Sequence, residues 1–192
     1  MQLSKLTNET FDQLYRDITE FRNTFDLPVA SPESLDDKAD LLHTSLAVEE
    51  LTELAEADNK TEQADAIIDS IYVLMGRLVH LGDDTVEDNI AISYLIDLLL
   101  NVATNRGIDF MSCWNEVHSS NMSKVCRNEQ EYSETEAYYA EQGIKLMAVQ
   151  KGGYIIAKCA EDFVSETKTI RQGKVLKSVY YRPANLEPLT NR

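Results

Sequence analysis

Apolar residues recur at helical spacing over most of the first two thirds of the chain. Phe11, Leu14, Tyr15, Ile18, Phe21 and Phe25 step by threes and fours and predict a first amphipathic helix that ends before Leu27-Pro28. A second helix is expected from about Asp37 to Ala57, with Leu41, Leu42, Leu46, Leu51 and Leu54 as its stripe. A third starts near Thr61, carries Ala64, Ile67, Ile68, Ile71, Leu74, Met75 and Leu78, and stops at Gly82, well placed as a C-terminal cap. Thr85-x-x-Asp88 reads as a capping box opening a fourth helix that runs to about Asn105. Its run Ile96-Asp97-Leu98-Leu99-Leu100 is apolar nearly all round, which predicts cover by a second subunit. A fifth helix, from about Asp109 to Met122, turns Phe110, Trp114 and Val117 inward.

The period then changes. Tyr132 to Gln142 reads as a further helix, but Ile144 to Val149, the Gly152-Gly153 turn and Tyr154 to Ala157 read as a hairpin, and Lys174 to Tyr181 as another strand. The expected fold is therefore mainly α: an antiparallel helical bundle over residues 1–125, with an inserted helix at about 84–106, and a small β-containing appendage with a basic tail over 126–192.

Charge changes this picture by position. The chain has 192 residues and a formal net charge of -15, which argues against a broadly basic duplex-binding surface. Acidic side chains outnumber basic ones 22 to 6 in residues 1–100, whereas the last 42 residues hold 4 acidic and 8 basic. Three cysteines, Cys113, Cys126 and Cys159, show neither CxxC nor Cys/His spacing, so neither a disulfide framework nor a zinc site is indicated. No leader pattern or long uncharged apolar run is present, and a cytoplasmic protein without membrane contact is expected.

The acids fall at chemically useful spacings. Glu50 and Glu53 are three apart and Glu49 and Glu53 four apart on the second helix; Asp65 and Asp69 are four apart on the third. A short loop makes the two helices an antiparallel hairpin, so these faces can meet. Like charges at such spacing weaken a helix slightly, and a divalent cation removes that cost. Oxygen ligands without histidine suit Mg²⁺, with Mn²⁺ as a substitute, better than zinc or iron. A solvated acidic face, kept for a basic protein partner, is the noncatalytic alternative.

Several ordered blocks resemble the all-α nucleoside triphosphate pyrophosphohydrolases, the family of MazG, dimeric dUTPases and phosphoribosyl-ATP pyrophosphohydrolase. Glu49-Glu50-Leu51-Thr52-Glu53 is similar to its ExxE, and Asp69-Ser70-Ile71-Tyr72-Val73-Leu74-Met75-Gly76 to its DxxYVxxG. Gly107-Ile108-Asp109 with Glu116-Val117-His118 through Asn121-Met122-Ser123-Lys124 resembles GID...EVHxxNxSK, and Gly173 to Lys177 with Tyr181-Arg182-Pro183-Ala184 resembles GKxLK...RPA. The family's Glu three residues before the second-helix Asp is here Ala66, with Asp65 beside it.

The resemblance implies Mg²⁺-dependent hydrolysis of a nucleoside triphosphate between the α and β phosphates, in a nucleotide-pool house-cleaning role, by a homodimer or a dimer of dimers. It implies Glu50, Glu53 and Asp69 as metal ligands with Asp65 assisting, and Glu49 as general base or a further ligand. Asn121 and Lys124 are assigned to substrate, Lys124 to phosphate. Lys174 and Lys177 in the basic tail, His43 one face-length before Glu50, and Tyr72 one turn beyond Asp69 complete the candidate substrate contacts. Phosphoribosyl-ATP hydrolysis is a reading of the same chemistry, ranked lower because of the inserted helix and the appendage.

Overall fold

The computed structural model describes residues 3–165 and 168–191. The chain divides into two compact units, one formed by Met1–Arg22, Pro28–His118 and Asn185–Arg192, the other by Asn23–Leu27 and Ser119–Ala184. The divide thus falls after His118 rather than at the expected 125, and the end of the chain returns to the helical unit.

The first unit contains α1 (Asn8–Thr24), a 3-10 turn at Pro32–Ser34, α2 (Asp37–Glu56), α3 (Lys60–Leu81), α4 (Ile90–Asn105), most of α5 (Phe110–Met122) and, at its end, the short α7 (Glu187–Thr190). Helix α3 is its centre. Ala64, Ile67, Ile68, Ile71, Met75 and Leu78 are buried at the i, i+3, i+4, i+7 positions, and α2, α4 and α7 all pack on it. Phe11, Leu14 and Ile18 of α1 and Trp114 of α5 are fully buried in the same unit. Gly82 ends α3 at φ 84°, with its N–H bonded to Leu78 O, as a left-handed cap requires.

Two expectations are corrected here. The fourth helix does not open at Thr85: Thr85 N–H donates to Asp88 Oδ2 (2.9 Å) in a local turn, and α4 starts at Ile90, capped by Asn89 Oδ1 accepting from Ile92 N–H. The side chain of Ser93 donates to Val86 O (2.8 Å), so the preceding segment is folded back instead of continuing the helix. Within α2, Leu46 and Leu54 are half-buried, but Leu41 and Leu42 are 66% and 60% exposed, and no α2 side chain is fully buried. The apolar stripe is wider than the surface that α3 covers. Helix α4 likewise buries Ile92, Ile96, Leu99 and Leu100 while Ile90, Leu95 and Leu98 stay open.

The second unit holds α6 (Glu129–Ala140) and the antiparallel hairpin β1 (Leu146–Lys151) and β2 (Tyr154–Cys159), in register Leu146 with Cys159 and Lys151 with Tyr154. Two short strands not anticipated from the pattern, β3 (Phe163–Val164) and β4 (Thr169–Ile170), also pair antiparallel. Lys174 to Tyr181 is not a strand. It touches the β2 edge at one bridge, Lys158 with Val175, then leaves when Ser178 N–H turns to Lys124 O (2.9 Å). Tyr139, Ile144, Cys159, Ile170 and Leu176 form this unit's main core cluster. All three cysteines are free and buried. No helix is long and apolar enough to cross a membrane.

Candidate active site

Helices α2 and α3 form the expected antiparallel hairpin, closed by only three residues. Asp36 Oδ1 caps α2 by accepting from Ala39 N–H, and Asn59 Oδ1 caps α3 by accepting from Glu62 N–H. The helix starts are therefore fixed, and with them the angular position of each acid. Glu50 lies on the face of α2 that also carries His43, Leu46, Ala47 and Leu54, the partly covered residues of that helix. Asp69 is half-buried on α3; Glu49, Glu53 and Asp65 are exposed.

Four of the acids act on the fifth. Burial first, then the charges of Asp69, Glu53, Glu49 and Asp65, push the Glu50 carboxyl up to about 7. Asp65 is raised as well, by desolvation. A cleft of about 230 Å³ at the turn of the hairpin is lined by Glu53, Glu56, Glu62 and Asp65 together with Ala57 and Ala66. Ala66 is buried in its wall, so the acid nearest to the missing family position is the outward-facing Asp65. Among the described residues no three His, Cys, Asp or Glu side chains already form a cage around an ion position. The donor set nonetheless fits a hard divalent cation that keeps waters and takes phosphate oxygens, because all its groups are carboxylates that repel when empty.

Beyond Glu50 the hairpin carries a pair of histidines. His43 Nε2 and His80 Nδ1 share a hydrogen bond at 3.1 Å, and Ser34 Oγ bonds His80 Nε2 at 2.7 Å. Burial, and then the charge of Arg22, hold His43 down at about 4. Arg22 is itself buried, which lowers its guanidinium to about 10; its Nε donates to Pro28 O (2.6 Å). Arg77 pairs with Asp40 at 2.5 Å. A second cleft of about 230 Å³, with little polar surface, lies between His43 and Arg77 and is walled by Ala47, Val48, Leu51 and Val73. His43 is thus tied to His80 at the edge of that cleft. Arg22, Arg77 and His80 escaped the sequence reading, since each reaches this place through tertiary packing rather than through spacing to the acids.

Tyr72, one turn past Asp69, is half-buried among aromatic rings, 5.2 Å from Phe21 and 5.2 Å from Trp114 between centroids. Its hydroxyl bonds His118 Nδ1 (3.0 Å), while His118 Nε2 stands 3.5 Å from Glu20 Oε2. Donation from Nε2 to the carboxylate leaves Nδ1 as acceptor for the tyrosine O–H. Trp114 donates to Asp17 Oδ2 (2.8 Å).

The remaining candidates belong to the second unit. Lys124 Nζ donates to Asn121 Oδ1 at 2.6 Å, both half-buried, so the two behave as one polar group at the end of α5. Lys174 is exposed, and Lys177 Nζ lies 4.3 Å above the Tyr181 ring.

Residues 18–93 match the family model for phosphoribosyl-ATP pyrophosphohydrolase. No curated protein and no solved structure matches the chain. The matched stretch runs from α1 through α2 and α3 into α4, and so includes Glu49, Glu50, Glu53, Asp65 and Asp69 together. That family is one of the MazG-like superfamily of all-α nucleotide pyrophosphohydrolases, and the segment similar to it, less than half of the chain, is the one that carries these acids.

Proposed function

We propose that the protein hydrolyses a nucleoside triphosphate between the α and β phosphates, giving the monophosphate and pyrophosphate, in a reaction that requires Mg²⁺ or Mn²⁺. The observation that carries this reading is that Asp69 and Asp65 of α3, with Glu53 and Glu49 of α2, all bear on Glu50. A carboxyl held near 7 by burial and then by its own kind is poised to lose its proton when a cation arrives. Glu50, Glu53 and Asp69 are the residues that would hold the ion, with Asp65 reaching it directly or through water. When bound, the ion supplies charge neutralisation for the phosphate oxygens and the leaving pyrophosphate. Glu49, on the adjoining exposed face of α2, accepts the proton of the attacking water. Asn121 and Lys124 are assigned to substrate, and Lys174, Lys177, Tyr72 and His43 are secondary contacts.

Phosphoribosyl-ATP belongs among the substrates tested, because the family model matching residues 18–93 carries that name. A homodimer, or a dimer of dimers, is part of the proposal. Leu41, Leu42 and Leu51 of α2 and Ile90, Leu95 and Leu98 of α4 are all at least 40% exposed, more apolar helix surface than a lone bundle usually leaves open. The test is a panel of common and modified triphosphates plus phosphoribosyl-ATP, scored for pyrophosphate with Mg²⁺ and with Mn²⁺. Release from at least one substrate, lost in Glu53→Gln and Asp69→Asn, is expected. No release from any of them overturns the proposal and favours an acidic helical module that binds a basic partner, in which case Mg²⁺ leaves thermal stability unchanged.

A further inference from the structure

The second unit contains a cavity of about 660 Å³ whose walls include Ser119, Ser123, Arg127, Tyr154, Tyr180 and Arg182. That volume lies within the roughly 300–1,000 Å³ range of small-molecule sites. Its two arginines differ. Arg127 is paired with Glu131: Nε and Nη2 donate to Oε1 at 2.9 and 2.7 Å, and the backbone N–H donates to Oε2 at 2.8 Å. The Glu131 charge at the wall is cancelled by the same bonds. Arg182 makes no ion pair among the described residues, in a chain with a net charge of -15.

Arg182 is nevertheless held in place. Its backbone N–H donates to Ser123 Oγ (3.0 Å), and its Nη2 to Ser119 Oγ (3.4 Å). Ser123 Oγ in turn donates to Ser120 O (2.7 Å). A positioned guanidinium beside a serine hydroxyl is suited to a phosphate, whose oxygens accept from both. The other walls are apolar or aromatic: Met122, Val125 and the rings of Tyr154 and Tyr180, the latter oriented by its hydrogen bond to Glu134. Aromatic faces of this kind stack a flat base.

We propose that this cavity is a mononucleotide site of the second unit, with the phosphate on the Arg182 guanidinium and the Ser119 hydroxyl and the base against a tyrosine ring. It needs none of the α2 and α3 carboxylates and no metal, so it stands or falls apart from the pyrophosphohydrolase reading.

Calorimetric titration of the full chain in EDTA, with the four ribonucleoside monophosphates and with inorganic phosphate, tests it. At least one monophosphate should bind, and more tightly than inorganic phosphate does. Arg182→Gln should weaken that binding by about tenfold, the loss expected for a charge-assisted hydrogen bond. Tyr154→Leu should weaken it for the nucleotide while leaving inorganic phosphate unaffected. If Arg182→Gln fails to fold, Arg182→Lys, which keeps the charge and loses the fork, should show a smaller loss in the same direction. Flat titrations with every monophosphate, binding of inorganic phosphate as tight as that of the nucleotides, or undiminished binding by the folded Arg182 variant would each overturn the assignment.

Discussion

Asp69 on α3 faces Glu50 on α2, and its charge is, after burial, the largest reason the Glu50 carboxyl rises to about 7. The sign of the consequence is fixed. Between its ordinary value of 4.5 and about 7, Glu50 keeps a proton in the folded chain that the unfolded chain has lost. Stability from this group therefore falls as pH rises across that window, and the full cost is present above it. Glu50→Gln should flatten this fall in a metal-free thermal melt series. Mg²⁺ should stabilise the parent protein at pH 8 and have little effect on the variant. Equal metal stabilisation in both proteins would show that the ion binds elsewhere.

His43 produces the opposite slope. Held at about 4 against an ordinary 6.5, it is neutral when folded at a pH where the unfolded chain takes up a proton. Its contribution to stability is intact above 6.5 and is lost as pH falls toward 4. Arg22, Arg77 and His80 oppose the added charge, and Asp40 favours it. The two slopes overlap between about pH 4.5 and 6.5 and partly cancel in the parent protein. His43→Gln should therefore expose a steeper loss of stability with rising pH, read from melting temperatures in EDTA. A profile parallel to the parent's would contradict the burial of that imidazole.

The positions of these acids on a two-helix hairpin were legible in the sequence because spacing decides them. Residues three and four apart on a helix share a face, and a three-residue loop leaves an antiparallel hairpin as the compact arrangement. The capping glycine at position 82 was legible for the same local reason. What pattern could not supply was cover. Leu41 and Leu46 are equally apolar in sequence, yet Leu46 is half-buried and Leu41 open to solvent. Arg22 resembles any surface arginine of an amphipathic helix until its bond to Pro28 O holds it inside. Thr85-x-x-Asp88 makes its expected hydrogen bond, but as a turn, because the capping pattern specifies a backbone bend and not the helix that follows.

Gly76 sits in the interior of α3, where glycine costs a helix about 1 kcal/mol relative to alanine. A Cβ built there would meet Arg22 Nη1 at 3.7 Å, an ordinary contact with the end of a flexible side chain. The packing of the described chain thus gives no reason for glycine. Gly76→Ala should raise stability by about 0.5–1 kcal/mol, measured by urea unfolding. If stability rises while turnover is lost, the missing Cβ serves substrate approach; if stability falls, the Arg22 side chain has no room to yield.

Asp97 interrupts the most apolar run of the chain for a structural reason. Its Oδ1 accepts from the backbone N–H groups of Ser4, Lys5 and Leu6 at 2.9, 2.6 and 2.8 Å, and its Oδ2 from the Ser4 hydroxyl at 3.1 Å. Burial alone would raise this carboxyl, but the three amides and the hydroxyl outweigh it and hold it below its ordinary value. One carboxylate thus fastens the segment leading into α1 to α4. Asp97→Asn keeps the shape while removing the charge and one acceptor, and should cost about 1.5–3 kcal/mol. Because the folded value is depressed, this stabilisation is present above 3.8 and is lost as pH falls through the folded value, so the gap between parent and variant should close in strong acid. Protection of the Lys5 and Leu6 amides from hydrogen exchange should drop in the variant before that of α3. Unchanged protection at those two amides would mean that the N-terminal segment is held by its apolar contacts, Leu6 above all, and not by Asp97.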